Sequence, residues 1–294
     1  TGTDVNNGTY VVRAATQGIM GGNLAGYFLV HDDNTNASTV SGDNTWYTIG
    51  ARQAGKMAGL DYRVEYYHQF GDGAIPADSS DQVGAYTAFT RASDIDRDAY
   101  LFGMRVGKTF KNSRFSPTFT LWYDNKSGQD DDNISGNEYG AFHTVLDTGH
   151  KFYGLIDNFI SDIGDDTQRY GLEDIALKTK FNISDKNILK IDVHQFLTQT
   201  DLEGNDSDTI RENSTSGAFL AANNGTGAIG NDLGQEIDIT LVHKYDANTK
   251  IVSGYSHYFT TLTHSLLNGS GGGDNGVDQN DDQDWFYVMI DTTF

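Results

Sequence analysis

From one end of the chain to the other, apolar and polar residues alternate with period two in short runs. The runs come in pairs joined by very short turns, and long polar stretches separate the pairs. The last run is the clearest. Phe286, Val288, Ile290, Thr292 and Phe294 fall on one face, and Trp285, Tyr287, Met289, Asp291 and Thr293 fall on the other. In an extended chain successive side chains point to opposite faces, so such a run is a strand with one apolar and one wet side. A helix would need a period of 3.6 instead.

Eleven such strands can be counted. Five hairpins span roughly 9–16 with 24–31, 45–53 with 60–70, 98–110 with 115–124, 170–183 with 188–200, and 235–244 with 250–259. The strand 284–294 stands alone. Long connections fall near 32–44, 71–97, 125–169, 201–234 and 260–283, all rich in Asp, Asn, Gly and Ser. Loops of that length are uncommon inside compact domains and usually carry function. Strict alternation of short turns and long loops is the asymmetry of a transmembrane barrel, with short turns on one rim and long loops on the other. The expected fold is therefore all-β: one domain over 1–294, an antiparallel up-and-down outer-membrane β-barrel. Eleven is odd, and a closed antiparallel barrel normally has an even count, so the pattern expects further strands before Thr1. A strand over 82–91 is the alternative, and a soluble antiparallel sheet is the blander one.

Composition narrows the function classes. The chain has 294 residues, 34 Gly, 2 Pro and no Cys, so no disulfide can form. No stretch approaches the about 20 apolar residues of a membrane helix. The formal charge of −21 excludes a general nucleic-acid binder, which works by neutralising phosphates. Eight His are scattered without paired metal spacing, and no Gly-x-Ser-x-Gly elbow occurs, so no enzyme is expected.

The charged face gives the candidate site. A charge at a lipid midplane costs roughly 2–4 kcal/mol, so a barrel would turn its charged face to the lumen. That face carries Arg13, Arg52, Arg63, Glu65, Arg105, Lys178, Lys180, Lys190, Asp192, Glu236 and Asp238 as expected pore-lining residues. A compact aromatic and basic block, His150, Lys151, Phe152 and Tyr153, ends a long polar stretch and reads as a loop folded inward to form a constriction. A packed external loop is the other reading of that block. Acidic runs near 129–133, 164–166 and 278–284 could supply oxygens to Ca²⁺, although none has EF-hand spacing. No metal site and no cofactor is otherwise expected.

Several short segments resemble the alginate-export family. They are Gly140, Ala141 and Phe142; Asp147 through Asp157; Trp122, Tyr123 and Asp124 with Ser127 and Gly128; Gly50, Ala51 and Arg52; and Gly59 through Tyr62. The resemblance implies an outer-membrane barrel, bacterial outer-membrane localisation, and contact with outer-membrane lipid and lipopolysaccharide. It also implies a porin passing small polar or charged solutes through a loop-narrowed pore. One alternative is export of an acidic polyuronate, which family members achieve through an arginine-lined pore. Here cations and carboxylates share the face, which departs from a one-sign polyanion conduit. The remaining alternative is a secreted acidic β-protein that binds Ca²⁺. Oligomeric state is not readable from the sequence.

Overall fold

The computed structural model describes residues 8–33, 44–73, 95–130, 133, 138–145, 152–160, 167, 169–200, 230–267 and 282–293. The strands are β1 Gly8–Ile19, β2 Gly22–Asp33, β3 Asn44–Met57, β4 Leu60–Asp72, β5 Asp96–Thr109, β6 Thr118–Lys126, β7 Glu138–Tyr139, β8 Leu172–Asn182, β9 Asn187–Leu197, β10 Asp232–Lys244, β11 Thr249–Thr260 and β12 Gln283–Thr292. Among the described residues a short helix, α1, spans Leu262–Leu267.

The strands form one sheet. Each long strand is hydrogen-bonded to the next in the chain, from β1 to β12, all antiparallel. Only β7 lies off this path, pairing parallel with β5. Two of the tight hairpins share a turn chemistry. Met20 and Gly21 join β1 to β2 with φ of 49° and 72°, and Ala58 and Gly59 join β3 to β4 with 52° and 78°. Two successive positive φ angles give a turn whose twist matches that of paired strands.

The two faces of the sheet differ sharply. One exposes apolar residues on strand after strand, including Ile49, Val64, Met104, Leu121, Ile175, Val193, Ile239, Phe286 and Ile290. The other carries the charged residues and is covered by loops. Glu65, Gln69, Arg97, Arg105, Asp124, Asp174, His194, Glu236 and Asp238 are all buried there. An apolar cluster lies on this charged side. Tyr153, Phe159, Tyr170, Leu172, Phe196, Leu233, Tyr258 and Leu267 pack between strands, loop and α1. Fully burying one such side chain stabilises by roughly 1.5–3 kcal/mol.

The expected barrel, which needed further strands before Thr1 to close, is corrected to an open sheet. Among the described residues β1 pairs only with β2 and β12 only with β11, so both stand as edges. The reason is directional. Eleven strands joined in simple antiparallel succession leave the first and last pointing the same way, so an antiparallel ladder cannot join them. A pore needs a continuous wall, and an open sheet encloses none. The expectations resting on closure are corrected with it: the diffusion channel, the outer-membrane address, and lipid and lipopolysaccharide as partners. No helix among the described residues is long and apolar enough to cross a membrane, which bears on helices alone.

Two elements lie inside stretches expected to be plain loop, β7 within 125–169 and α1 within 260–283. A two-residue strand is too short for period two to register. The alternative strand over 82–91 falls outside the described residues.

Candidate functional site

Most of the expected site residues separate into two groups on the charged face. The first is centred on β5. Arg105 donates from Nη1 to Glu65 Oε1 of β4 at 2.6 Å and from Nη2 to Asp124 Oδ2 of β6 at 2.8 Å. Its guanidinium lies 3.7 Å from the Trp122 ring centroid, and Trp122 Nε1 donates to the same Asp124 oxygen. Arg63 completes the cluster on Glu65 at 2.6 Å. Gly103 makes the approach feasible. It lies in register between Glu65 and Asp124, and a Cβ there would meet Asp124 Oδ1 at 2.7 Å and Glu65 Cγ at 3.0 Å.

Burial pushes Asp124 up to about 6, against the pull of Arg105, and burial likewise lowers Arg105. These arginines are therefore spent on the protein's own carboxylates. Arg52 is half-buried opposite Glu65 in the ladder. Arg13 stands apart on edge strand β1, donating to Tyr27 Oη at 3.3 Å.

The second group spans β8 to β11. His194 and Asp174, both fully buried, meet at 2.9 Å through Nδ1. Lys178 Nζ lies 2.9 Å from His194 Nε2 and 3.5 Å from Asp192. An ammonium can only donate, so Nε2 accepts and Nδ1 carries the proton to Asp174. Ser256 Oγ donates to Asp238 at 2.5 Å. Glu236 Oε1 accepts two backbone amides, Leu155 N at 2.6 Å and Ile156 N at 3.0 Å.

Beside this group lies a cavity of about 590 Å³. It is lined by Lys178, Lys180, Lys190, Lys244 and Lys250, and by Gly154 and Leu155 of the loop. The ladder sets Lys180 directly opposite Lys190, and Lys244 directly opposite Lys250. Like charges directly opposite on paired strands are destabilising unless something neutralises them. Lys250 has Asp291 at 2.8 Å, and Lys178 has Asp192. The cavity thus concentrates cation in a chain whose net charge is −21.

The structure brings Lys178, Lys180, Lys190, Asp192 and Asp238 together along this cavity, with Glu236 next to it. On this charged face of the open sheet Lys180 and Lys190 are exposed, Lys178 and Asp192 are half-buried, and Asp238 is buried. Phe152 packs on Trp122 at 6.2 Å between ring centroids, and Tyr153 is buried beneath Lys126, whose Nζ lies 5.0 Å from its ring. His150 and Lys151 lie outside the described residues, as do most of the acidic runs considered for Ca²⁺. Among the described residues no group of three His, Asp or Glu is placed to hold a metal ion. Lys244, Lys250 and Tyr287 were missed by the sequence reading. Lys244 and Lys250 flank the fifth short turn at mirror positions, and that symmetry was the available signal.

The fold and site define a class: an all-β protein built on one open antiparallel sheet, with a loop-roofed, charge-rich face. The chain belongs to the alginate-export family, whose sequence model matches residues 3–261. The porin barrel expected along with the family is what the open sheet corrects. A search of curated proteins gives no match. Among solved structures, one of the NanC porin is similar over 98% of both chains at 10% identity with a TM-score of 0.35, a level that carries no argument.

Proposed function

We propose that this chain binds acidic saccharides of the polyuronate type in the lysine-lined cavity. The observation that carries this is the register of that cavity. Lys180 faces Lys190 across adjacent strands, an arrangement that calls for an anion to offset it, whereas the Lys244–Lys250 pair is already met by Asp291. Family membership points to the anion being a uronate chain. A cavity of about 590 Å³ has the dimensions of a small-ligand site. Lysines are compact, rotatable donors that suit repeated carboxylates along a chain of variable conformation. The arginines of the other group are already engaged by Glu65 and Asp124, so the lysines carry the recognition.

Titration calorimetry with alginate-derived oligouronates and neutral oligosaccharides of equal length tests this. The chain is expected to bind the oligouronate with an affinity that falls as salt rises, and to ignore the neutral sugar. Replacing both Lys180 and Lys190 by Gln is expected to weaken binding by about tenfold or more. Equal binding of charged and neutral sugars, or full affinity in the double variant, would remove the cavity from the function.

A further inference from the structure

One carboxyl group on the charged face neutralises no cation among the described residues. Glu236 is fully buried, yet among the described residues it bonds to no cationic side chain. Its Oε1 instead takes both amides of Leu155 and Ile156, and the preceding Gly154 rests directly against its carboxyl group. Gly154 has φ +82°, and a Cβ there would collide with the Glu236 carboxyl oxygens. Only a residue without a side chain lets the loop sit this close. The same Gly154 and Leu155 form part of the cavity lining. One carboxyl group therefore connects the floor of the sheet to the loop side of the anion cavity.

We propose that Glu236 is a latch: it fixes Gly154, Leu155 and Ile156 as a wall of the lysine-lined cavity and so sets the length of uronate chain the cavity admits. The inference rests on the proposed polyuronate reading and adds a positioning residue to it.

The surroundings suit this role. The ladder sets His194 and Tyr258 on either side of Glu236, and Asp238 lies two residues along the same face. Burial and the Asp238 carboxylate push Glu236 up to about 9. Near neutral pH it is held as the uncharged acid. A neutral acceptor holds the loop without placing another negative charge beside an anion site. His194 is committed to Asp174 and Lys178, so it leaves Glu236 to the loop.

The variants separate this latch from the lysine site. Glu236→Gln is close in shape to the protonated acid: its carbonyl oxygen still accepts both amides, and its amide nitrogen faces Asp238. Glu236→Ala removes the acceptor. Gly154→Ala pushes the loop off an intact Glu236 and leaves every strand residue unchanged. Two measurements apply to each: hydrogen exchange at the Leu155 and Ile156 amides, and the ratio of affinities for a hexauronate and a diuronate.

Wild type and Glu236→Gln are expected to share slow exchange and the same ratio. Glu236→Ala and Gly154→Ala are expected to exchange about a hundredfold faster, with the ratio shifted about tenfold toward the longer chain. Unchanged protection and an unchanged ratio in Gly154→Ala would overturn the latch, even if Glu236→Ala failed to fold. The Lys180 and Lys190 double variant should lose affinity for both lengths while keeping slow exchange. If wild type bound neither length, the polyuronate reading would fail, while the exchange data would still show whether Glu236 holds the loop.

Discussion

Replacing Arg105 by Leu should cost the fold about 3–5 kcal/mol near pH 8 and markedly less near pH 5. Arg105 is buried and bridges two carboxylates on neighbouring strands, Glu65 at 2.6 Å and Asp124 at 2.8 Å. Among the described residues its removal leaves Asp124 buried with the Trp122 indole N–H donating to it, and leaves Glu65 with Arg63 and the Tyr67 hydroxyl. The stranded charge, rather than the lost pair, sets the size of the effect.

The pH dependence follows from Asp124. Its folded pKa is raised from 3.8 to about 6 even with Arg105 in place. The folded chain therefore holds that proton more tightly than the unfolded chain, and stability falls as pH rises from about 3.8 to 6. Without Arg105 the folded pKa moves higher still, because its main opposing influence is gone. The falling window then extends upward, and the variant's deficit is larger at pH 8 than at pH 5. Denaturant unfolding at the two pH values measures this. A deficit that did not change with pH would show that Asp124 is not the group left stranded. Arg105→Lys keeps the charge but cannot bridge both carboxylates in the same fork, so it should recover only part of the loss.

Period two carried far in this chain because the two sides of the sheet are chemically opposed. The assignment of Glu65, Arg105, Lys178 and Glu236 to one side needs only alternation, and the structure places all four there. The side that is buried was not legible in the same way. Alternation separates Ile239 from Asp238 but does not say which one meets solvent. The loops decide that: Phe159, Tyr153 and Leu267 come from outside or beyond the long strands and roof the polar face.

Closure was misjudged for a related reason. Loop asymmetry is a local regularity: the odd count of eleven already shows that the first and last strands cannot pair antiparallel, but whether the edges of the sheet are joined at all is a long-range relation that no local pattern encodes. The bond from Glu236 to two loop amides was equally hidden. It joins positions about eighty apart, and backbone donors leave no mark in a sequence. Lys180 opposite Lys190 was recoverable, since the turn at 184–186 fixes the register once it is recognised as tight.

Phe159→Ala is expected to release the loop from the sheet at a cost of about 3–5 kcal/mol. Phe159 is completely buried, with its ring centroid 4.6 Å from that of Phe196, 6.2 Å from Tyr258 and 5.7 Å from His264. These partners come from β9, β11 and α1, so one ring ties the loop to three separate elements. Burial holds His264 down at about 4, and the imidazole therefore packs as a neutral ring near pH 7. Truncation to Ala leaves a void that backbone-held strands cannot collapse to fill.

The loss should be local. The β10–β11 ladder runs through eleven consecutive residue pairs and does not depend on Phe159 for its hydrogen bonds. Far-ultraviolet circular dichroism should keep the β signal, while proteolysis within 152–160 accelerates. Two of the loop's anchors are the Glu236 carboxyl and the Phe159 ring, which lies three residues beyond the amides that Glu236 holds. Residues that hold one segment together do not contribute additively. Combining Phe159→Ala with Glu236→Ala should therefore cost less than the sum of the two single changes, because a loop already undocked cannot be undocked again. Strict additivity would mean that the ring and the carboxyl hold independent pieces of structure, and that the wall of the cavity moves without the core beneath it.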